Sequence, residues 1–432
     1  MKKIGILVLA VLLLSLALMG CQKKEAPAAA AAADPNAPVK LLVWCWDPNF
    51  NVYAMLEAEK IYRRTKPNVS LDVQDITNIE EKVITALSAN DMSAMPDIIL
   101  QQDNSIQKFV TNFPKAYLPL NGKVDLSKFA QYKLNVGYVN GQNYGVPFDN
   151  GAAAFFVRTD MLAQAGLTVA DFTDITWDRF IELGVQLKQK TGKSLISFTP
   201  GGGDLVPMIL MSTGTWSFDS SGKPYIQNNP VVRAIVTIYS QLVKTGVLLE
   251  VPDWNAYIAS LNTDQVAGTL QGCWIIGSIV PAADQAGKWA MTNFPKVANI
   301  PTATNYTSNG GSGWMVMAHT KYADVCYDFL DKTWAGSTEF YDTILPSSGA
   351  ISTWLPAASS SVYSQPQAFF GGQKVFEDLM SYASKIPQIS FGVYNYEARD
   401  AIQRAQVNIL NGGNIDSELA AAQRDVEFIM NQ

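Results

Sequence analysis

The sequence contains a single histidine, His319, among its 432 residues. One imidazole cannot form a two-histidine zinc site or a histidine relay, and it leaves little room for a histidine-dependent catalytic triad. Basic residues form no run longer than a dipeptide, and 32 lysines and arginines are outnumbered by 38 aspartates and glutamates. The resulting formal charge of -6, without a basic patch, argues against nucleic acid as a partner.

Cysteine is also scarce. Apart from Cys21, the chain has only Cys45, Cys273 and Cys326, with no C-x-x-C spacing and no partner histidines. We therefore predict no metal site. Two alternatives stay open for these three residues: one disulfide in an oxidising compartment, or three buried free thiols.

Sequence signatures for phosphate or dinucleotide cofactors are missing. The glycine run at residues 201 to 203, followed by Asp204, lacks the Gly-Lys-Ser/Thr ending of a P-loop, and no dinucleotide-binding fingerprint is present. We predict no cofactor and no catalytic residues. The glycine run is expected to shape a wall of a cleft.

The N-terminus has the pattern of a targeting segment. Lys2 and Lys3 precede an apolar run at residues 4 to 19, and this run is shorter than the about 20 residues that cross a bilayer. Residues 18 to 21, Leu-Met-Gly-Cys, resemble a bacterial lipobox, which implies cleavage before Cys21 and acylation of that cysteine. The alternative is an ordinary signal peptide with a chance cysteine.

These features predict a signal peptide at residues 1 to 20 and an Ala- and Pro-rich tether at residues 21 to 38. Acyl chains on Cys21 would hold the protein at a lipid bilayer in the cell envelope, outside the cytoplasm. The sequence leaves open whether this is an inner or an outer membrane.

The body of the chain has the pattern of an α/β protein. With 48% hydrophobic and 16% charged residues it can bury a large core, and its length predicts two or three domains. A buried strand at residues 39 to 46 is followed by a helical stripe at 54 to 62, a strand at 69 to 73, a helical stripe at 79 to 87 and a short strand at 97 to 100. This βαβαβ order favours a parallel sheet.

Further helices are marked by stripes and caps. Thr176 precedes a stripe that begins at Trp177, and Asn229-Pro230 opens another. Two C-terminal stripes, at residues 398 to 409 and at 419 to 429 after Asp416, predict a mostly helical end of the chain.

Polar residues and tryptophan follow two of the predicted strands. Trp46 and Asp47 come after the first strand, and Gln102 and Asp103 come after the strand at 97 to 100. Ligands of open α/β sheets bind at the carboxyl ends of strands. A carboxylate accepts hydrogen bonds from sugar hydroxyls and an indole stacks on a pyranose face, so these residues suit a sugar site. The alternative for each aspartate is a helix N-cap.

Several segments resemble the family 1 extracellular solute-binding proteins of ABC transporters, the carbohydrate-type receptors similar to maltose-binding protein. The segments are, in family order, LLVWCW at the first strand, MPDIILQQD at 95 to 103, YGVPFDNGAAAFFVRTDMLAQAGL from 144 with the TWDRFIELGVQLKQKTG helix, DQVAGTLQGCWIIGSI at 264 to 279 and NGGSGWMVMAH at 309 to 319. Together they span most of residues 39 to 350.

The resemblance implies a two-lobed periplasmic-binding-protein type II fold, in which each lobe is a mainly parallel sheet flanked by helices. Carried onto this sequence, the N-lobe would be residues 39 to 149 with 313 to 343, and the C-lobe 150 to 308 with 350 to 432. Hinge crossovers would lie near residues 145 to 151, 305 to 312 and 344 to 350. The lobes would close on a ligand held between them.

The resemblance and the composition of the loops add further candidate contacts. Asp149 and Asn150 lie in the first crossover, and Gly311, Ser312 and Trp314 lie in a segment similar to the hinge-side glycine motif of the family. Trp274 stands where the family often places a ligand-contacting aromatic residue, and Trp216 is a stacking candidate. For the tryptophans the alternatives are a core position for Trp274 and Trp314 and a hairpin anchor for Trp216.

The expected function is that of a monomeric receptor that binds a small sugar and delivers it to the permease subunits of an ABC importer. Such a receptor performs no covalent chemistry. Three alternatives stay open: a receptor for a polyol or glycerophosphodiester, a lipid-anchored glycoside hydrolase, and a purely structural surface lipoprotein. A hydrolase would draw its two carboxylates from Asp47, Asp103, Asp149 and Asp204.

Overall fold

A computed structural model describes residues 37 to 389 and 391 to 431. The predicted signal peptide, the acylated Cys21 and residues 22 to 36 of the tether lie outside the described residues. In the part of the chain that is described, no helix combines the length and apolar composition needed to cross a membrane.

The strands alternate with helices along the chain. The strands are β1 Val39–Cys45, β2 Val69–Asp75, β3 Ile98–Gln102, β4 Tyr117–Leu118, β5 Tyr138–Val139, β6 Gln142–Asn143, β7 Val146–Pro147, β8 Ala152–Arg158, β9 Ile196–Phe198, β10 Leu248–Glu250, β11 Gly268–Gly272, β12 Trp289–Thr292, β13 Thr307–Ser308 and β14 Ser312–Met317.

The α-helices are α1 Tyr53–Tyr62, α2 Ile79–Ser88, α3 Asp103–Asn112, α4 Gln131–Val136, α5 Thr159–Gln164, α6 Trp177–Thr191, α7 Leu205–Ser212, α8 Pro230–Lys244, α9 Trp254–Asn262, α10 Ile276–Ile279, α11 Ala323–Lys332, α12 Thr338–Ser348, α13 Val375–Ala383, α14 Asn395–Leu410 and α15 Ile415–Met430. A π-helical turn spans Pro48–Val52, and 3₁₀ turns span Leu126–Lys128, Val169–Phe172, Cys273–Ile275, Ala283–Gln285, Leu355–Ser359, Ser361–Ser364 and Ala368–Phe370.

The first sheet has the order β2-β1-β3-β14-β4, with β7 also paired to β14. Strands β1 and β3 are parallel, with Val43 opposite Ile98, as the βαβαβ pattern predicted. Strand β14 returns from far along the chain and runs antiparallel to β3, with Ser312 opposite Gln102. This register places the start of β14 beside the carboxyl end of β3.

In the second sheet the predicted parallel arrangement is wrong. Strands β11, β12 and β13 all pair with β8 in antiparallel fashion. A parallel neighbour needs a crossover that returns the chain to the starting edge. Here β11 and β12 enter at the end where β8 finishes, so Gly268 lies opposite Val157 and Trp289 opposite Arg158, whereas β13 pairs with the first two residues of β8. A separate short pair, β9 with β10, is parallel.

Strand β8 is buried on both faces, because helices cover the second sheet on each side. Ala153, Phe155 and Val157 pack into a core with α6, α7 and α8. The alternate residues Ala154 and Phe156 pack into a different core, which includes α13. The period-two alternation of a strand thus divides one apolar run between two cores.

Side-chain caps explain several helix starts. The Thr176 hydroxyl accepts from Arg179 N, and the Asn229 side chain accepts from Val231 N, so the predicted starts of α6 and α8 are confirmed. Helix α15 begins at Ile415 instead of after Asp416, because the Asn414 side chain accepts from Ser417 N.

The three described cysteines are free and buried, which settles the alternative in favour of thiols. Burial raises the pKa of the Cys273 thiol to about 12.

The chain passes between the two sheets at neighbouring places. It leaves β7 of the first sheet and enters β8 of the second through residues 148 to 151, and it returns from β13 to β14 through residues 309 to 311. The two segments are joined by hydrogen bonds from Asn309 N to Gly151 O (2.9 Å) and from Phe148 N to Ser312 O (2.8 Å). A later segment joins them, since Asn150 N donates to Ile351 O.

Candidate functional site

A cleft of about 1320 Å³ lies at these connecting segments, between elements of the first sheet and elements of the second. Its lining combines aromatic side chains, carboxylates, amides and bare glycine backbone. The lining residues are Trp46, Asp47, Phe50, Asn51, Gln102, Asn104, Asp149, Asp204, Pro207, Met211, Trp216, Trp254, Trp274, Ser308, Asn309, Gly310, Gly311, Ser312, Phe391 and Arg399.

The segment after β1 supplies Trp46, Asp47 and Asn51. Asp47 Oδ1 accepts from Asn49 N (2.9 Å) and Phe50 N (3.1 Å), so this carboxylate caps the following turn while it lines the cleft. Burial raises its pKa. The capping role and the cleft position are compatible, because only one carboxylate oxygen is used by the cap.

Asn51 is a cleft residue that the sequence reasoning missed. Its Oδ1 accepts from Trp46 N and Asp47 N, both at 3.0 Å. Its buried Nδ2 has no hydrogen-bond partner among the described residues. An amide nitrogen in that position is a donor available to a bound molecule.

Asp149 holds the two connecting segments together and keeps one oxygen free. Its Oδ1 accepts from both the backbone N and the Oγ of Ser312, each at 3.1 Å. Its buried Oδ2 has no partner among the described residues, and burial raises the pKa of the carboxyl group. Asp149 is therefore a rigidly held residue of the cleft lining whose second carboxylate oxygen is unpaired among the described residues.

Four tryptophans line the cleft, and two of them contact each other. The rings of Trp254 and Trp274 lie 5.6 Å apart at 48°. Trp274 Nε1 donates to Asn309 O (3.1 Å), which fixes that ring against the returning segment. Trp254, at 44% exposure, was not predicted, although Asp253 caps α9 and places Trp254 at its first position.

Trp216 also lines the cleft, and its edge is anchored. Its Nε1 donates to Asn395 Oδ1 (3.0 Å), and its ring makes an edge contact with Phe391. The hairpin-anchor alternative stays open, because Tyr225 N donates to Ser217 O in a hairpin that begins directly after the buried Trp216.

Trp314 is a correction to the predicted site. Its side chain is completely buried and packs between Phe148, at 5.9 Å, and Trp334, at 5.3 Å. It lies in the core under the first sheet, outside the cleft lining. Ser312 and Trp314 point to the same face of β14, because side chains alternate along a strand. Trp314 lies two residues farther from the start of β14, where this face is covered by helices.

Asp103 and Asn150 are further corrections, because they line a smaller adjoining cavity of about 510 Å³. Asp103 is buried in an ion pair with Lys133. Asn150 Oδ1 accepts from Ala152 N (2.8 Å), which shapes the turn into β8. Both side chains are thus committed to the protein itself, so we do not retain them as contacts in the main cleft.

The far wall of the cleft contains a chain of side-chain hydrogen bonds. Gln271 Nε2 donates to Asp204 Oδ2 (3.1 Å), and Asn309 Nδ2 donates to Gln271 Oε1 (2.6 Å). The expectation that the segment at Asp204 forms a wall agrees with this position. Asn309 and Arg399, like Asn104, line the cleft without having been predicted, because no local pattern marks them.

Comparison with known proteins identifies the family. The model of the family described as bacterial extracellular solute-binding proteins matches residues 58–369. The lactose-binding protein of Rhizobium radiobacter is 35% identical over 384 residues, which cover 88% of this chain and 91% of that protein. The chain belongs to the bacterial extracellular solute-binding proteins. The family resemblance found in the sequence is confirmed, and membership in an extracellular family places the protein outside the cytoplasm.

Solved structures confirm the fold of this solute-binding protein. The GacH receptor of Streptomyces glaucescens, solved unliganded and with acarbose, has a TM-score of 0.76 at 16% identity and covers 90% of this chain and 97% of that one. The galacto-N-biose/lacto-N-biose I-binding protein of a Bifidobacterium longum ABC transporter, solved with lacto-N-biose, has a TM-score of 0.74 at 17% identity, with coverages of 91% and 98%. The two-lobed α/β fold class is therefore confirmed.

The buried ion pair of this solute-binding protein should make its stability depend on pH. Burial, outweighing the attraction of Lys133, raises the pKa of Asp103 to about 6, and the nearby Asp149 adds to the rise. A carboxyl with a raised folded-state pKa contributes most below its unfolded pKa of about 3.9, and the contribution is lost as pH rises through the folded pKa.

We expect the unfolding free energy of the wild type, relative to Asp103→Asn, to fall by on the order of 2 kcal/mol between pH 4 and pH 7. Urea unfolding of both proteins at several pH values measures this difference. Parallel pH profiles would contradict the prediction.

Proposed function

We propose that the protein is an extracytoplasmic receptor that binds a neutral sugar in the cleft between its lobes and delivers it to the permease subunits of an ABC importer. The observation that carries the proposal is a tryptophan-lined cleft together with two buried polar atoms, Asn51 Nδ2 and Asp149 Oδ2, for which no described residue is a hydrogen-bond partner. Stacking surfaces beside fixed donors and acceptors suit a ring that carries hydroxyl groups.

The charges of the cleft favour a neutral solute over an anion. Among the described residues, the carboxylates of Asp47, Asp149 and Asp204 line it beside the guanidinium of Arg399. Arg399 is already paired with Asp400 at 3.0 Å. An anionic solute would lose its hydration without gaining a free cation, whereas hydroxyl groups can donate to carboxylates.

The relatives guide the choice of sugar. The Rhizobium radiobacter relative is named for lactose, and the Bifidobacterium longum protein was solved with lacto-N-biose. We propose that this receptor also takes a sugar of two or more units. Part of the cleft is open to solvent, so a ligand longer than one sugar unit can extend from the enclosed part.

We extend the proposal to the envelope and the hinge. The protein would act as a monomer, anchored through acylated Cys21 and lifted from the bilayer by residues 21 to 38. Its N-lobe would comprise residues 39 to 149 with 313 to 343, and its C-lobe 150 to 308 with 350 to 432. The passages between the sheets at 148 to 151 and 309 to 311 support hinges there, because at both places a short segment, paired with the other by hydrogen bonds, carries the chain from one sheet to the other.

A thermal-shift screen of the purified protein tests this function. Lactose, other disaccharides and monosaccharides are compared with polyols, glycerophosphodiesters and hexuronates. A solute at 100 times its Kd should stabilise the native state by about 2.7 kcal/mol. Stabilisation by a sugar that is recovered intact supports the receptor. A sugar that is consumed would indicate a hydrolase, and stabilisation by glycerophosphodiesters or hexuronates alone would contradict the neutral-sugar assignment.

A further inference from the structure

The N-lobe, which contains the first sheet, is called the first lobe below, and the C-lobe is called the second lobe. The first turn of α14 contacts both lobes through three consecutive residues. Asn395 is buried and accepts from Trp216 of the second lobe. The next two residues, Tyr396 and Glu397, contact the first lobe. The turn therefore bridges the cleft at the place where its aromatic wall is anchored.

The Tyr396 hydroxyl is surrounded by three oxygen atoms of the first lobe. It lies 2.5 Å from Gln102 Oε1, 2.9 Å from Asn104 Oδ1 and 3.2 Å from Glu80 Oε1. A hydroxyl has one hydrogen, so it cannot donate a full bond to all three oxygens at once. The hydroxyl therefore donates mainly to Gln102 Oε1, the shortest of the three contacts, and Asn104 and Glu80 lie around the same hydroxyl.

Two of these three side chains, Gln102 and Asn104, also line the cleft. An amide group is planar, with its oxygen and its NH₂ on different sides of the carbon atom. When Tyr396 holds the oxygen, it also sets the direction of the two N–H donors. Tyr396 can thus fix the orientation of the amide N–H donors of Gln102 and Asn104 in the cleft.

Two charged contacts surround the tyrosine. Lys108 Nζ lies 2.5 Å from Glu397 Oε1, and both side chains are only about one-fifth exposed. The Arg399 guanidinium lies 4.7 Å from the centre of the Tyr396 ring. The ion pair connects α3 of the first lobe with α14 of the second, and its partial burial protects it from screening by salt.

We propose that Tyr396 is a positioning residue: it orients Gln102 and Asn104 toward the solute and, together with the Lys108–Glu397 ion pair, holds the lobes closed. The inference rests on the proposed function and deepens it. A neutral sugar offers hydroxyl and ring oxygens as acceptors for the amide donors that Tyr396 directs. Because these contacts join the two lobes, they would be lost if the lobes separated, so they favour the closed arrangement with or without a solute.

The variant Tyr396→Phe tests the positioning role, since it keeps the ring and removes the hydroxyl. With lactose as the probe, we expect the Kd measured by titration calorimetry to rise about tenfold, mainly through faster dissociation in stopped-flow tryptophan fluorescence. Tyr327→Phe is the matched control, because Tyr327 donates to Pro119 O within the first lobe and lies outside the cleft. The control should change the Kd less than twofold.

Scattering tests the closing role without any sugar. The radius of gyration of the solute-free double variant Tyr396→Phe/Lys108→Met should exceed that of the wild type. The variant Lys60→Met serves as the control, because Lys60 pairs with Glu57 within one helix. It should leave the radius unchanged.

The two experiments separate the inference from the proposed function. An unchanged lactose Kd in Tyr396→Phe together with an unchanged radius in the double variant overturns the inference. If no sugar of the screen binds the wild type, the proposed function fails and the scattering comparison alone decides on the closing contact.

Discussion

Replacing Trp254 and Trp274 together by alanine should weaken sugar binding by more than about 100-fold. The two rings form a continuous aromatic surface in the cleft. Removing one well-placed tryptophan from a binding surface costs about 2 kcal/mol or more, and 1.4 kcal/mol is a factor of ten in Kd. Titration calorimetry with the sugar found by thermal shift measures the loss.

Two further variants make the result specific to stacking. Trp274→Phe keeps an aromatic face and should retain most of the affinity. Tyr138→Ala removes an aromatic side chain that is 53% exposed and lies outside the cleft, so it should leave the Kd unchanged. Equal losses in Tyr138→Ala and in the double variant would assign the effect to general destabilisation and contradict a stacking role.

Replacing Gly311 by alanine should destabilise the protein by about 3 to 5 kcal/mol. Gly311 has a φ of +94°, and an added Cβ would fall well inside contact distance of Lys133 Nζ and Asp103 Oδ2. The end of a lysine side chain usually moves aside easily. Here the ammonium is buried and paired with Asp103, so the added methyl group must displace two buried charged side chains at once.

Gly310→Ala provides the matched control for this prediction. Gly310 also has a left-handed φ, of +74°, but the nearest atom to its added Cβ is Trp274 Nε1 at 3.7 Å. Its cost should therefore be about 1 to 2 kcal/mol, the cost of the backbone conformation alone. Chemical denaturation measures both variants, and equal losses would show that the ion pair is not disturbed.

Local sequence patterns predicted the elements that depend on neighbouring residues. The buried run of β1, the alternation of β2 and the stripes of α1 and α2 lie where periodicity placed them. The caps Thr176 and Asn229 open α6 and α8 as predicted. Such features follow from side chains a few residues apart, so they can be read without the fold.

Strand direction in the second sheet was beyond this reasoning. Strand β8 reads as one apolar run, and such a run is equally suited to parallel and antiparallel neighbours. Its partners β11, β12 and β13 begin more than 100 residues later. The direction of each partner strand depends on the path of the chain between β8 and that strand. The residues of β8 contain no information about this path.

The residues of the candidate site also fall into two groups, those that the sequence predicted and those that it did not. Chemistry alone selected Trp46, Asp47 and Gln102 at the ends of β1 and β3, and the structure places all three in one cleft. Residue chemistry alone could not distinguish Asp103, whose carboxylate is paired with Lys133, from its neighbour Gln102, which lines the cleft. It also missed Asn51 and Trp254, because their importance comes from an unpaired atom and an exposed ring.

By itself, the sequence determined the family, the fold class and the location of several cleft residues, because order, composition and strand ends are local properties. The tertiary structure alone decided which polar atoms remain without partners and which tryptophan is buried. Those outcomes depend on contacts between segments such as 102 to 104 and 395 to 399, which lie almost 300 residues apart. Burial and pairing are properties of such contacts, and no stretch of sequence contains both partners.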